Sequence, residues 1–409
     1  MVPDETSDKI AEILRKIIHL PLEKRGNRVM GTRVKTVVVT VAICFMAFSC
    51  RKELQIIPPT GTTVTSPFSG KVSGFYLLNE GNMGSNKATL DYFDYSTGVY
   101  LKNIFASANP LVARELGDVG NDIQVYGKKL YAVINCSNLV EVMDSRTAKH
   151  IAQISIPNCR YITFDNGYAY VSSYAGPVEL DPNSRKGYVA KIDTTSLQIV
   201  AECTVGYQPE EMVVENGKLY VANSGGYRVP DYDNTVSVID LATFQITKTI
   251  EVAINLHRME KDRFGNIYVS SRGDGFDIHS QTFIINSSVD ELTDYLELLP
   301  VSDMAMCGDS LYVVCCQWNN FTNSNEISYA IYDVVLKEIV TRNMITDGTE
   351  EQIKIPYGIA VNPETREFFI TDAKDYVTPG TLYCFGRDGR KKWQITTGDI
   401  PAHIAFIAE

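Results

Sequence analysis

Histidine is scarce in this chain, with five in 409 residues. Only His257 and His403 fall at the start of candidate strands that would face a shared axis, so no Ser/His/Asp or Cys/His order can be assigned. Each of the two reads as a structural histidine. Nine cysteines are present, but none has the paired spacing of a metal site. Gly225-Gly226 follows a strand pattern without opening a helix, which excludes a phosphate-cradling glycine loop. Basic charge is also short. Of 38 Lys/Arg and 49 Asp/Glu, the first 49 residues hold eight and five, leaving 30 against 44 beyond them. A chain of about −14 with no basic stripe repels nucleic acid. No segment beyond residue 50 keeps a helical period, and the longest apolar run, 36–48, is thirteen residues, short for a bilayer span.

That run follows Arg33 and Lys35 and precedes Ser49-Cys50, the layout of a signal h-region. Residues 1–49 are read as an export segment, and Met30 as the start of a more ordinary signal peptide, which makes 1–29 an over-long start. Ala47-Phe48-Ser49-Cys50 resembles the relaxed lipobox of Bacteroidetes lipoproteins, so Cys50 is expected to be lipidated. Residues 50–72 are rich in Pro, Thr, Ser and Gly and read as a flexible tether. Cys136 and Cys159 should lie at one mouth of the fold, where they form either a disulfide or two small buried hydrophobes.

What the chain has in abundance is a repeat. Gly127-Lys-Lys-Leu-Tyr-Ala-Val returns as Gly167-Tyr-Ala-Tyr-Val, Gly217-Lys-Leu-Tyr-Val, Gly265-Asn-Ile-Tyr-Val and Gly308-Asp-Ser-Leu-Tyr-Val-Val, with looser copies at Gly74 and Arg366. Each copy except that at Gly74 is preceded by a short strand pattern: 121–126, 160–164, 210–214, 257–261, 302–306 and 357–361. A seventh such pattern, 402–407, ends the chain with no phrase after it. It should pair with the orphan phrase at Gly74. Two further alternating runs follow each phrase, as in 235–240 and 246–252, and period-two alternation fits half-buried antiparallel strands. The fold class is therefore all-β: a seven-bladed β-propeller over 73–409, four antiparallel strands per blade, closed by the last strand joining the first blade.

That topology sorts the loops. Those leading into the first strand of a blade, and those joining its second to its third, share one face around the central funnel. The second-to-third loops here are long and carry aromatics, amides and glycines, the chemistry of a concave ligand site. Ligand-binding candidates on this face are Asn79, Asn82, Asn121, Asn135, Tyr174, Asn223, Tyr227, Arg228, Arg272 and Trp318. Glu210, Asn223 and Asp303 could mimic the calcium cage of propeller hydrolases of the lactonase type.

Four phrases, Leu78-Asn-Glu-Gly-Asn-Met-Gly-Ser-Asn-Lys87, Asn223-Ser-Gly-Gly-Tyr-Arg-Val-Pro230, Ile355-Pro-Tyr-Gly-Ile-Ala-Val-Asn-Pro363 and Thr397-Gly-Asp-Ile-Pro-Ala-His-Ile-Ala405, carry a resemblance. Over about 74–407 the chain resembles the YncE-like surface-layer propellers, and more closely the cobalamin-binding BtuG-type surface lipoproteins of Bacteroidetes. The resemblance implies a lipid-anchored protein on the outer-membrane surface that binds vitamin B12 or related corrinoids and passes them to a TonB-dependent outer-membrane transporter. It implies no catalysis, and no cofactor beyond the transported cobalamin. A surface adhesin or glycan-binding propeller is the alternative, ahead of the calcium-dependent hydrolase.

Overall fold

The computed structural model describes residues 59–409 apart from 113–114, 298, 320–321 and 409. The expected export segment, Cys50 and the first part of the tether lie outside the described residues. Those described belong to one compact unit, 56–409.

Seven antiparallel sheets form the ring. Blades 2 to 7 are each one continuous stretch of four strands, beginning at Gly120–Tyr126, Cys159–Asp165, Pro209–Glu215, Leu256–Lys261, Asp303–Cys307 and Pro356–Val361. These inner strands match the expected patterns to within a residue or two. Blade 1 is composite: its inner strand is Pro401–Ala408, paired with Val72–Asn79 in a register running from Val72 opposite Ala408 to Asn79 opposite Pro401. Pro401–Ala408 packs between the inner strands of blades 7 and 2, so the ring closes as the orphan phrase requires.

Turn chemistry explains why the repeat folds locally. Asn166-Gly167 and Asn216-Gly217 both adopt positive φ, the hairpin turn whose twist matches its strands. The outer turns share a second device. Asp144, Asp193, Asp240 and Asp333 each accept backbone N–H bonds from the residues two or three ahead. The chain then turns through a left-handed residue, Ala148, Leu197, Phe244 or Lys337. Blade 1 uses Gly98 there, since a Cβ at Gly98 would sit 2.0 Å from the Thr65 carbonyl oxygen.

Seven apolar clusters hold the ring, one between each pair of adjacent blades. The tyrosine of the repeated phrase lies at these seams. Tyr76, Tyr131, Tyr170, Tyr220 and Tyr268 are buried, and Tyr76 and Tyr220 donate across the seam to the carbonyls of Ser145 and Ser287. Tyr268 donates to Asp262, so these rings supply apolar area with a satisfied polar end, whereas the buried Tyr131 hydroxyl finds no partner.

One expectation needs correction, and one alternative left open by the sequence is settled. The tether does not stay free along its whole length: Thr60–Thr63 forms a fifth strand on the outer edge of blade 1, paired with Val99–Lys102, and Val64 and Phe68 continue as backbone-bonded chain. Polar composition hid this, because an edge strand exposed on both faces needs no apolar alternation. A short helix, Ile104–Ala108, follows the last strand of blade 1 and is too brief to carry a helical period. Cys136 and Cys159 are free thiols. Cys159 points into the seam between blades 2 and 3 and bonds the carbonyls of Ile134 and Leu139, whereas Cys136 faces the funnel beside Asn135.

Candidate ligand basin

The starts of the inner strands and the second-to-third loops enclose a basin of about 670 Å³ on the funnel face. Of the ten residues expected to bind ligand, Asn82, Asn121, Asn135, Tyr227, Arg272 and Trp318 line it. Trp318 reaches it from an unexpected element. The second and third strands of blade 6, Ser310–Asn319 and Ser324–Asp333, run on as a long hairpin, so Trp318 opposite Asn325 stands on a strand and not in a loop. Its ring is half exposed at the rim.

Four expected residues do not line the basin. Asn79 is fully buried and donates to Thr89 Oγ1. Asn223 is fully buried, donates to the hydroxyls of Thr235 and Ser237, and accepts from Gly206 N. In both, the last residue of the second strand points back into its own blade, which strand alternation decides and loop position does not. Tyr174 is buried under the guanidinium of Arg160, 4.7 Å from its ring centre, and donates to Glu210. Arg228 lies over the Tyr207 ring and donates to the Pro182 carbonyl, tying two loops together behind the rim.

The floor is made of Arg160, Tyr161, Arg258, Tyr357 and Glu80, which loop geometry did not single out, together with His257, which the sequence placed at an inner-strand start facing the axis. All but Glu80 open their inner strands, where the ring brings the chain nearest its axis. Glu210 accepts from Arg160 Nη2 at 3.2 Å and pairs with Arg272 Nη1 at 3.5 Å. Burial works to raise its carboxyl, but the two guanidinium groups outweigh burial and hold Glu210 below the ordinary range. Glu80 goes the other way: burial pushes it up to about 7, against the hydrogen bond donated by Tyr357 Oη at 3.0 Å. His257 bonds Tyr161 Oη through Nε2 at 2.9 Å. His403 lies 3.9 Å from Glu80. Both histidines are driven well below their usual range, first by burial and then by nearby arginines.

Below this floor the channel narrows to a second cavity of about 340 Å³, lined by Asp122, Glu211, Glu260 and Asp303. These carboxylates have partners. Each accepts a backbone N–H from the inner strand of the next blade: Ile162 to Asp122, Met259 to Glu211, Met306 to Glu260 and Ile359 to Asp303. Burial pushes Asp122 to about 6, Glu260 to about 7 and Glu211 to about 8. Arg258 closes the layer from above, with Nε 3.0 Å from Asp303 and Nη1 3.7 Å from Glu211.

The residues considered for a calcium cage do not converge. Glu210 pairs with arginines, Asn223 turns into blade 4, and Asp303 lies in the lower cavity. Among the described residues no group of three or more His, Cys, Asp or Glu side chains is placed to hold a metal.

Comparison with known proteins shows the fold and a family. Two solved structures are similar at 14% identity and a TM-score of 0.53. One is Kuenenia stuttgartiensis hydrazine synthase, over 66% of this chain and 77% of that one. The other is a quinonprotein alcohol dehydrogenase-like protein from Bacteroides thetaiotaomicron, over 83% and 79%. At that identity the likeness speaks for the propeller alone. No curated protein matches the chain. A family model, described as a domain of unknown function (DUF5074), matches residues 73–398, nearly the whole ring from the orphan phrase to the last strand of blade 7. The chain is a seven-bladed β-propeller that belongs to the DUF5074 family.

Proposed function

We propose that this propeller is a cell-surface binding protein that captures a corrinoid of the vitamin B12 class in the funnel basin and passes it to a TonB-dependent outer-membrane transporter. The observation that carries the reading is the basin's mixed lining. Asn82 and Gln317 supply amide groups, beside Asn121 and Asn135 whose Nδ2 groups are bonded to blade 3, while Tyr227, Tyr357, Tyr376 and Trp318 supply aromatic faces around one concavity. A corrinoid is a broad ring edged with amides and carrying a nucleotide loop, so it needs flat apolar contact and many amide partners at once. Because most of these side chains stand on or beside paired strands, they are held before the ligand arrives, which lowers the ordering cost of association. Attachment at the surface through a lipidated Cys50 belongs to the same reading, and no catalytic step is assigned.

Calorimetric titration of the purified propeller with cyanocobalamin tests it. One site per chain and a coloured complex that survives gel filtration are expected; no heat and no bound colour at micromolar protein overturn the reading. Replacing Cys50 by Ala should release the protein from membranes, and continued membrane attachment would overturn that part.

A further inference from the structure

The floor of the basin is electropositive in a chain that is acidic overall. Three guanidinium groups gather there from blades 3 and 5: Arg160, Arg258 and Arg272. The Arg160 and Arg258 groups lie 5.8 and 5.3 Å from the centre of one ring, that of Tyr161, while Arg160 and Arg272 share one carboxylate, Glu210. Two cations therefore have a single ionised partner between them.

Arg258 is less well compensated still. It is 5% exposed, and its Nε and Nη1 make no hydrogen bond, although Asp303 lies 3.0 Å and Glu211 3.7 Å away. Asp303 and Glu211 lie within ion-pair reach, but each already accepts a backbone N–H, and burial favours their protonated forms. Unbonded donors on a buried guanidinium are costly to leave unmet; Arg258 lines the basin, with these two nitrogens turned away from solvent.

We infer that Arg258 and Arg272, backed by Arg160, form an oxyanion subsite on the basin floor that takes a phosphate group of the ligand. Guanidinium donors approaching from more than one direction suit a tetrahedral group with several acceptor oxygens better than a planar carboxylate. A cation is repelled. The subsite stands on this geometry alone; where the corrinoid reading also holds, the group it takes is the phosphodiester of the nucleotide loop.

The test uses the whole propeller and inorganic phosphate as probe. At constant ionic strength, replacing chloride by phosphate should raise the thermal midpoint by about 2–4 °C. Arg272→Gln should remove most of that rise and Arg272→Lys should restore part of it; Arg272 is 42% exposed on its side chain, which leaves the fold intact in both. Equal midpoints in the two salts, or an undiminished rise in Arg272→Gln, overturn the subsite. Corrinoids separate this inference from the proposed function. Arg272→Gln should weaken cyanocobalamin about tenfold and leave cobinamide, which lacks the phosphodiester, unchanged. Equal weakening of both overturns the subsite and leaves the corrinoid reading, whereas a phosphate response with no corrinoid binding does the reverse.

Discussion

The two ends of the central channel are lined by the same seven inner strands, yet ionisable groups serve different ends in each. In the lower cavity, Asp122, Glu211, Glu260 and Asp303 each grip a backbone N–H of the neighbouring blade, so they join blades as a hoop of cross-seam bonds. In the upper basin, Arg258 keeps unbonded donors and Arg272 shares its only carboxylate. Acids that are satisfied by the ring act on stability, whereas Arg272 keeps 42% of its side chain exposed at the basin. Position along a strand thus separates scaffold from site, although both sets are buried and charged.

The strongest way to break the comparison is to remove the element both ends share. Deleting residues 401–409 takes the inner strand from blade 1 and should abolish the cooperative folded monomer, seen as loss of the thermal transition and aggregation on gel filtration. Removing the layer between the two ends comes next. Arg258→Met takes the guanidinium away from Asp303 and Glu211, whose protonated forms burial favours, and should cost about 1–3 kcal/mol in urea unfolding at pH 7.

A pH series sharpens the point. Burial raises Glu80 and Glu260 to about 7 and Glu211 to about 8, so the folded chain holds protons that the unfolded chain, titrating near 4.3, has already lost. Stability should fall as pH rises from about 6.5 to 8; His257 and His403, driven low in the fold but titrating near 6.5 when unfolded, oppose the fall in the lower half of that window and drop out of it above about 7.5. Urea midpoints at fixed ionic strength check this, and a flat profile would mean that the carboxylates are ionised in the fold. The smallest effect belongs to the rim. Trp318→Ala should weaken corrinoid binding about tenfold and change stability by no more than about 0.5 kcal/mol, since the ring is 52% exposed.

The ring was legible because its signal is repeated: one phrase with its glycine turn and seam tyrosine, seen often enough that a missing copy at one end and a spare strand at the other could be joined. The site was legible only in part. Loop position led to Asn82, Tyr227 and Arg272, but it misplaced Asn79 and Asn223, whose side chains follow strand alternation into the blade. The floor residues were harder. Arg160, Arg258 and Tyr357 sit in the strand patterns, and no local feature separates an inner-strand residue aimed at the axis from one aimed into a seam.

Blade 1 gives the chain's assembly a fixed order. Blades 2 to 7 are each built from one unbroken stretch and can form as they leave the ribosome, whereas Val72–Asn79 must wait for Pro401–Ala408, more than three hundred residues later. Until then the first blade offers an open edge and two adjoining seams lack a wall. Pro401–Ala408 therefore decides whether the ring closes on itself or on a neighbouring chain. Its His403, on the lower cavity, also packs beneath the basin against Glu80 and Tyr161. The basin floor is thus backed only when the ring is shut.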